Sequence, residues 1–194
     1  MDTKKSLAVC VTAILYIMLF AVVGSCFMAF KYEDEKVRVN NPDLIVASGI
    51  SVTDTSTSQT INKLKFSEVK LGLKPVTGEL DHETKIPVTV TDQNGSEGIF
   101  AKFKVKASSN PVIKIKNISI TGNDKLEVDK ERKNIWVAIK EIDDSSKNLE
   151  DEEVILGTIE NASEGKEYTL YFWLSSVASE DFEMCTIDFD VVIE

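Results

Sequence analysis

The side chains of this sequence that could perform chemistry are few and scattered. The chain has a single histidine, His82, and one imidazole cannot build a histidine-rich metal site. A catalytic triad would need His82 beside a serine and an acid, and no strained G-x-S-x-G turn occurs to present the serine. We interpret His82 as an exposed loop residue and expect the protein not to be an enzyme.

Cysteine chemistry is equally limited, because Cys185 is the only thiol beyond residue 30. Asp181, Glu183 and Asp188 surround it in the sequence, whereas reactive thiolates need an electropositive setting. We therefore expect Cys185 to pack at the start of a strand. With one thiol, that part of the chain must fold without an internal disulfide.

Acidic residues give the sharpest metal hypothesis. Oxygen ligands from Asp143, Asp144 and the run 150–153 could converge on calcium. Their spacing lacks the alternating ligands and the central glycine of an EF-hand loop. We interpret residues 143–153 as a solvated acidic loop and expect neither a metal nor a cofactor.

Three N-x-S triplets are possible glycan acceptors, and they begin at Asn94, Asn117 and Asn161. They matter only in a host that glycosylates exported asparagines. Such triplets also arise by chance, so no glycan is predicted from them alone.

The start of the chain contains a segment long enough to cross a membrane. Residues 7–30 are predominantly apolar and include no charged side chain. At about 1.5 Å per residue, a helix of this length spans the roughly 30 Å hydrocarbon core of a bilayer. Lys4 and Lys5 precede it, and short basic flanks tend to stay cytoplasmic. The sequence predicts a transmembrane signal anchor, with residues 1–6 in the cytoplasm and the lipid bilayer as the first partner.

Two other fates of this leader stay open. A cleaved signal peptide needs a shorter apolar region and small residues at the processing site, and a cut after Ser25 would leave apolar residues 26–30 as the new terminus. Residues 22–26 also loosely match a lipoprotein box, although Phe27 is a bulky neighbour for a modified cysteine. The retained anchor is preferred, followed by a juxtamembrane stalk at 31–43 and an extracellular domain at 44–194.

The overall charge narrows the class of partner. The chain carries 32 acidic and 22 basic side chains, for a net charge of −10. Such a surface repels the phosphate backbone, whose neutralisation supplies most of the affinity for nucleic acids. We expect no nucleic-acid partner and interpret the excess charge as an aid to solubility.

Beyond the anchor, the pattern predicts an all-β domain. Short β-branched and aromatic segments are separated by turn residues, and residues 99–106 and 112–120 alternate apolar with lysine or polar side chains so that one face is dry. Ten short strands suit a two-sheet, jelly-roll-like sandwich. The predicted strands are 44–52, 60–66, 69–73, 85–91, 99–106, 112–120, 135–139, 154–159, 168–174 and 186–193.

One of these strands is apolar on both faces. In residues 168–174, Leu170 and Phe172 lie on one side, and Tyr171 and Trp173 lie on the other. Such a strand is central and covered on each side. We therefore interpret Trp173, and likewise Trp136, as core residues rather than as a ligand-stacking platform.

The carboxy-terminal part resembles a known family. Residues 168–174 form a Tyr-x-Leu-x-x-Trp-Leu strand, and a polar connection leads to a final alternating strand at 186–193. An upstream Ile-Pro-Val-Thr-Val core at 86–90 and the strand around 103–105 also match. In these features the chain resembles the TasA and camelysin biofilm-matrix family of signal-anchored surface proteins of Gram-positive bacteria.

The resemblance implies a jelly-roll-like sandwich, export across a single membrane and, as in fibre-forming members, assembly by exchange of a terminal strand. The departure is the retained anchor, because matrix-fibre proteins usually lose their leader. This chain would then anchor or cap a surface assembly rather than form its bulk.

We therefore expect a membrane-anchored extracellular β-sandwich with a structural, matrix-assembly or interaction role through edge-strand pairing. Residues 44–47 are either the first strand of their own sheet, which is the default, or a strand lent to a neighbouring subunit. The alternative function is an extracellular module that binds sugar, peptide or calcium at its loops. The expected partner is a second copy of the chain or another surface protein.

Overall fold

The computed structural model describes residues 14, 16–19, 36–72, 98–175 and 178–194, in two compact units at 1–35 and 36–194. In the first unit, Ile14 and residues 16–19 are helical and exposed. Within the described residues there is no helix that meets the length and hydrophobicity of a bilayer span. Most of the predicted anchor, the predicted strand at 85–91, His82 and Asn94 lie outside the described residues.

The described residues of the second unit form mainly short strands, with a helical turn, α1 (Val128–Glu131), and 3₁₀ turns at Arg132–Asn134, Ala162–Glu164 and Glu180–Phe182. The strands in the described residues are β1 (Lys36–Val39), β2 (Asp43–Val46), β3 (Ile50–Asp54), β4 (Lys70–Gly72), β5 (Gly98–Ala107), β6 (Val112–Thr121), β7 (Ile135–Ile139), β8 (Lys147–Asn148), β9 (Glu153–Thr158), β10 (Lys166–Leu174) and β11 (Thr186–Ile193).

These strands form two sheets. In sheet A the order is β4-β1-β11-β6-β9, and β2 also pairs with β11; in sheet B the order is β3-β5-β10-β7-β8. Alternate residues of the longer strands point into one shared hydrophobic core, as Phe103 of β5 and Ile187 of β11 do. The prediction of a β-rich domain with two packed sheets is confirmed.

The two sheets meet at a stacked pair of aromatic rings. The rings of Phe172 in β10 and Phe189 in β11 lie 5.1 Å apart, centroid to centroid, and are tilted by 3°. The ring of Phe66 packs 6.2 Å from Phe172 and 6.1 Å from Phe189. Aromatic pairs in this range of distances add to the free energy gained by burial, so this trio joins one sheet to the other.

The prediction of a central strand that is apolar on both faces is confirmed in β10, which lies between β5 and β7. Phe172 is fully buried in the core, while Tyr171 and Trp173 on the opposite face are 6% and 5% exposed. Trp173 stacks on Trp136 of β7 at 6.2 Å. Trp173 is therefore buried as expected from the sequence, whereas Trp136, predicted as a core residue, is only partly buried beside it.

The start of the folded unit differs from the predicted boundary. Residues 36–43 were expected to belong to a stalk with little to bury, yet Val37 and Val39 of β1 are fully buried. The compact unit begins at Lys36. The alternation of Val37 and Val39 with charged side chains is a strand pattern, and it places both valines in the core.

Two predicted strands need correction. Residues 44–52 do not form one strand, because an exposed turn at 47–49, with Gly49 at φ +86°, separates β2 in sheet A from β3 in sheet B. Residues 60–66 make only isolated bridges at Thr60 and Lys63. Their buried side chains, Leu64 and Phe66, gave this segment its strand-like pattern.

Candidate assembly site

The residues proposed for chemistry do not come together in the described part of the chain. Cys185 is 1% exposed at the start of β11, as predicted, and its Sγ lies 3.5 Å from the carbonyl of Asp181. Burial raises the pKa of the Cys185 thiol, and the negative charge of Asp181 raises it further. The thiol therefore stays protonated and unreactive near neutral pH.

The acidic loop at 143–153 is organised by a basic side chain. Nε of Arg132 donates to the carbonyl of Leu149 at 3.0 Å, and its Nη2 donates to the carbonyl of Asp151 at 2.5 Å. Glu153 already belongs to β9 and forms ion pairs with two lysines. Within the described residues, no group of three metal-ligating side chains converges.

The described N-x-S asparagines lie at two special backbone positions. Asn117 of β6 has φ +54°, and its Nδ2 donates to Oδ2 of Asp190 at 2.6 Å. Asn161 has φ +56° and is exposed directly before the 3₁₀ turn at Ala162–Glu164. Asparagine tolerates this left-handed conformation better than most residues. The backbone conformation is therefore a sufficient reason for an asparagine at both positions.

The structure instead brings together the first and last strands of the unit. β1 pairs in parallel with the beginning of β11, with Arg38 opposite Thr186, and β2 pairs in parallel with its end, with Ile45 opposite Val192. Residues 36–46, which we call the N-terminal segment, thus form one interrupted strand along β11. The interruption contains Pro42, which has no amide hydrogen to donate.

Backbone hydrogen bonds hold the N-terminal segment on its β11 side. The amide of Arg38 donates to the carbonyl of Cys185 at 2.9 Å, and the amide of Asn40 donates to Ile187 at 3.0 Å. At the far end, the amide of Ala47 donates to Ile193 at 2.9 Å. The pairing is made by the main chain, so the same hydrogen bonds could be made by this segment from a second copy.

The opposite side of the segment is also paired. β1 pairs with β4, and the amide of Leu44 donates to the carbonyl of Asn62 at 2.8 Å. The amide of Leu64 donates to the carbonyl of Pro42 at 3.1 Å. The segment therefore fills a slot within the unit and is not a strand added to an open edge.

Side chains fix the register of the segment in this slot. Val37, Val39 and Leu44 are buried in the core. Nδ2 of Asn40 donates to Oδ1 of Asp188 at 2.7 Å, and Oδ1 of Asn41 accepts the amide of Phe66 at 3.0 Å. A shift by one residue would turn the valines outward, so only one alignment satisfies both the core and the asparagines.

β9 is a poorer place for strand addition, although it is the last strand of sheet A in the described residues. The register shifts between Ile113 and Lys114, so that Leu156 is an extra residue in β9, and Gly157 has φ +143°. Bulges of this kind twist an edge away from further pairing. The slot beside β11 is therefore the better candidate for contact between copies.

Ion pairs and hydrogen-bonded carboxylates make the unit sensitive to acid. Hydrogen bonds from Lys116 and Lys114 lower the pKa of Glu153, and a hydrogen bond from Lys114 lowers that of Glu194. Hydrogen bonds from the Ser56 hydroxyl and from the backbone of residues 56–57 lower the pKa of Asp54 to about 2. A carboxyl with a lowered folded pKa stabilises the fold above its unfolded pKa, and the gain is lost as the pH falls through the folded value.

For this reason, we expect the thermal midpoint of the unit to decrease as the pH is lowered from about 4.5 to 2. Asp54→Asn, which cannot lose a charge, should flatten the part of this fall below about pH 4. Asp124→Asn, an exposed carboxylate outside the Asp54 turn, is the matched control. If the thermal midpoint of Asp54→Asn depends on pH below about pH 4 as steeply as that of the unaltered protein, the role given to this carboxylate is wrong.

The fold and the site define a two-sheet β-sandwich unit whose first strand is inserted beside its last. No protein-family model, curated protein or solved structure gives a significant match to the chain.

Proposed function

We propose that the chain is a membrane-anchored extracellular structural protein whose β-sandwich units join by exchanging the N-terminal segment. In this proposal the segment of one copy occupies the slot beside β11 of the next copy. The observation that carries the proposal is the two-sided backbone pairing of residues 36–46, at the start of the unit, with the strand that ends it.

For the N-terminal segment to be exchanged, only one turn of the chain has to straighten. The N-terminal segment is joined to β3 through the exposed turn at 47–49, which we call the hinge turn. The same backbone bonds and the same buried valines would form between copies as within one chain, so the exchange changes few contacts. Because each copy lends its segment to the next, the contact is head-to-tail, and it builds an open polymer when the rotation between copies does not close a ring.

The sequence supports the location of this assembly. Residues 7–30 have the length and composition of a membrane anchor, and Lys4 and Lys5 favour a cytoplasmic amino terminus. The resemblance of residues 168–174 and Thr186–Ile193 to the TasA and camelysin family supports a jelly-roll-like topology and a surface role. A retained anchor would hold every copy of the chain at the membrane, so the exchanged units would form an assembly on the membrane surface.

The anchor is tested by the intact mass of the mature protein isolated from host membranes. A mass equal to that of the full chain, in the membrane fraction, is expected. A mass equal to that of a chain starting at Cys26 would show that the leader is cleaved. The same mass with an added lipid on Cys26 would show that the protein is a lipoprotein.

Assembly is tested in the hinge turn, because changes there leave the core intact. Purified residues 31–194 should form polymers by size-exclusion chromatography and negative-stain microscopy as the concentration rises. Inserting Gly-Ser-Gly-Ser between Ser48 and Gly49 should return the protein to a monomer, because short hinges favour swapping and a longer one lets the segment fold back into its own slot.

The control for the hinge variant is the same insertion between Ser109 and Asn110, in the exposed turn that joins β5 to β6. It should polymerise like the unaltered unit. If residues 31–194 stay monomeric at every concentration, the ligand-binding alternative is favoured. A rise in thermal midpoint with millimolar calcium would then identify calcium as the ligand.

A further inference from the structure

A row of three lysines lies on the outward face of sheet B. Lys102, Lys104 and Lys106 alternate in β5 with core residues, so their side chains stand on one face, about 7 Å apart. All three are exposed, and none forms an ion pair with another described residue. We call these residues the basic row.

The neighbours of the basic row leave it accessible. On the β3 side, Ser51 is opposite Lys106 and Thr53 is opposite Lys104, and both have short side chains. On the β10 side, Glu167 is opposite Lys104, and the carboxylate of Glu141 accepts hydrogen bonds from Thr169, which is opposite Lys102. Two carboxylates do not neutralise three ammonium groups, so the row keeps a net positive charge.

An acidic counterpart lies elsewhere on the same unit. Glu150, Asp151 and Glu152, which we call the acidic run, are exposed and form no ion pair with another described residue. Arg132 binds the backbone carbonyls of Leu149 and Asp151, so the run is held in place. One guanidinium does not neutralise three carboxylates, so the run keeps a net negative charge.

The two patches lie toward opposite edges of sheet B. The basic row is on β5, next to the edge strand β3, whereas the acidic run follows β8 at the other edge. Three strand spacings separate β5 from β8, or about 14 Å. The patches therefore cannot pair within one copy, but they are positioned to pair between neighbouring copies.

We propose that the acidic run of one copy docks on the basic row of the next, as a lateral contact between units in an assembly. The proposal deepens the proposed function, since it names a second contact between the same partners. The chain has a net charge of −10, so copies repel each other in general, and the basic row is a place where an acidic neighbour is attracted. Because two different patches meet, the contact repeats from copy to copy.

The dependence on salt concentration distinguishes this lateral contact from strand exchange. The charges are exposed, and at 0.15 M ionic strength interactions between exposed charges are screened beyond about 8 Å. Backbone pairing and the burial of valines are not weakened by salt in this way. The lateral contact should thus appear at low salt and disappear at high salt, whereas exchanged polymers should persist.

The test uses the unit with the lengthened hinge turn, so that strand exchange does not contribute. Sedimentation velocity at 20 mM NaCl should reveal reversible self-association that is lost at 500 mM NaCl. Lys102→Glu with Lys104→Glu and Lys106→Glu should weaken it about tenfold or more, and Glu150→Lys with Asp151→Lys and Glu152→Lys should do the same. An equimolar mixture of the two triple variants should associate again, since each then offers the patch that the other lacks.

The matched control carries the same change of charge at scattered exposed lysines: Lys65→Glu, Lys125→Glu and Lys133→Glu. It should keep most of the low-salt association. If a triple variant loses its folded circular dichroism spectrum, the single variants Lys104→Glu and Asp151→Lys replace the pair, with a smaller loss expected from each.

Three outcomes would overturn the proposal: no association at 20 mM NaCl, equal weakening in the control, or no recovery in the mixture. If the unit stays monomeric at low salt but binds polyphosphate through the basic row, the row serves a polyanion and not a second copy. None of these outcomes affects strand exchange, because the lengthened hinge turn has removed it from the measurement.

Discussion

Joining the side chains of residues 40 and 188 by a disulfide should abolish polymers while leaving the unit folded. In the slot beside β11, Nδ2 of Asn40 lies 2.7 Å from Oδ1 of Asp188. Asn40→Cys with Asp188→Cys, made in a Cys185→Ala background, places the two new thiols in adjacent parallel strands. Once oxidised, the N-terminal segment cannot leave its own unit, so no segment is available to lend.

The comparison is made on one sample in two redox states. Oxidised protein should elute as a monomer, and the same protein in dithiothreitol should polymerise as the unaltered unit does. Val112→Cys with Thr158→Cys joins residues that face each other in β6 and β9, outside both the N-terminal segment and the basic row, and should polymerise in both states. Polymers of equal abundance in the locked and reduced forms would rule out exchange of this segment.

Removing the ring of Phe172 should cause the largest loss of stability among single core substitutions. Phe172 is fully buried in the central strand of sheet B, and its ring stacks on Phe189 of sheet A at 5.1 Å. Phe172→Ala removes this contact between the sheets and leaves a cavity, which typically costs about 3–5 kcal/mol. This is a large part of the 5–15 kcal/mol that stabilises an ordinary domain.

Urea denaturation followed by circular dichroism measures this loss. Ile155→Ala is the control, because Ile155 of β9 is 53% exposed, and substitutions at the surface usually change the free energy of unfolding by no more than about 0.5 kcal/mol. If the two variants unfold at the same urea concentration, Phe172 does not join the sheets in the way described.

Much of the fold could be predicted because the pattern of the longer strands is local. In β5 and β6, lysines alternate with apolar side chains, and in β11 Ile187 and Val191 point into the core as expected. β10 was predicted as central because both of its faces are apolar. In each case the face that a residue occupies is fixed by the two-residue period of a strand.

The N-terminal segment was predicted only in part, because its pairing is not local. Val37 and Val39 alternate with Lys36 and Arg38, which is a strand signal, but the charges and the nearby Asn40-Asn41-Pro42 favoured a stalk. The partner of this strand, β11, lies at the other end of the chain. No spacing within residues 36–46 indicates that they pair in parallel with the last strand.

Loop organisation was also beyond the sequence pattern. Residues 143–153 were predicted as one loop, yet they include β8 and the first residue of β9. The backbone of this segment is held by Arg132, which nothing in the spacing of the acidic residues indicates. Likewise, the turn at 47–49 sends β2 and β3 to different sheets, although residues 44–52 look continuous in sequence. The signal available in the sequence was Gly49 itself, because glycine readily adopts the positive φ that the structure shows at this turn.

The central claim is that the N-terminal segment of one copy lies beside β11 of another, and the most direct measurement is a disulfide between chains. Asn40→Cys and Asp188→Cys are made in separate chains, each with Cys185→Ala, and the two proteins are mixed under conditions that allow polymers to form. After oxidation, the account predicts a covalent dimer that contains one chain of each kind. Polymers that form without this cross-link would contradict it.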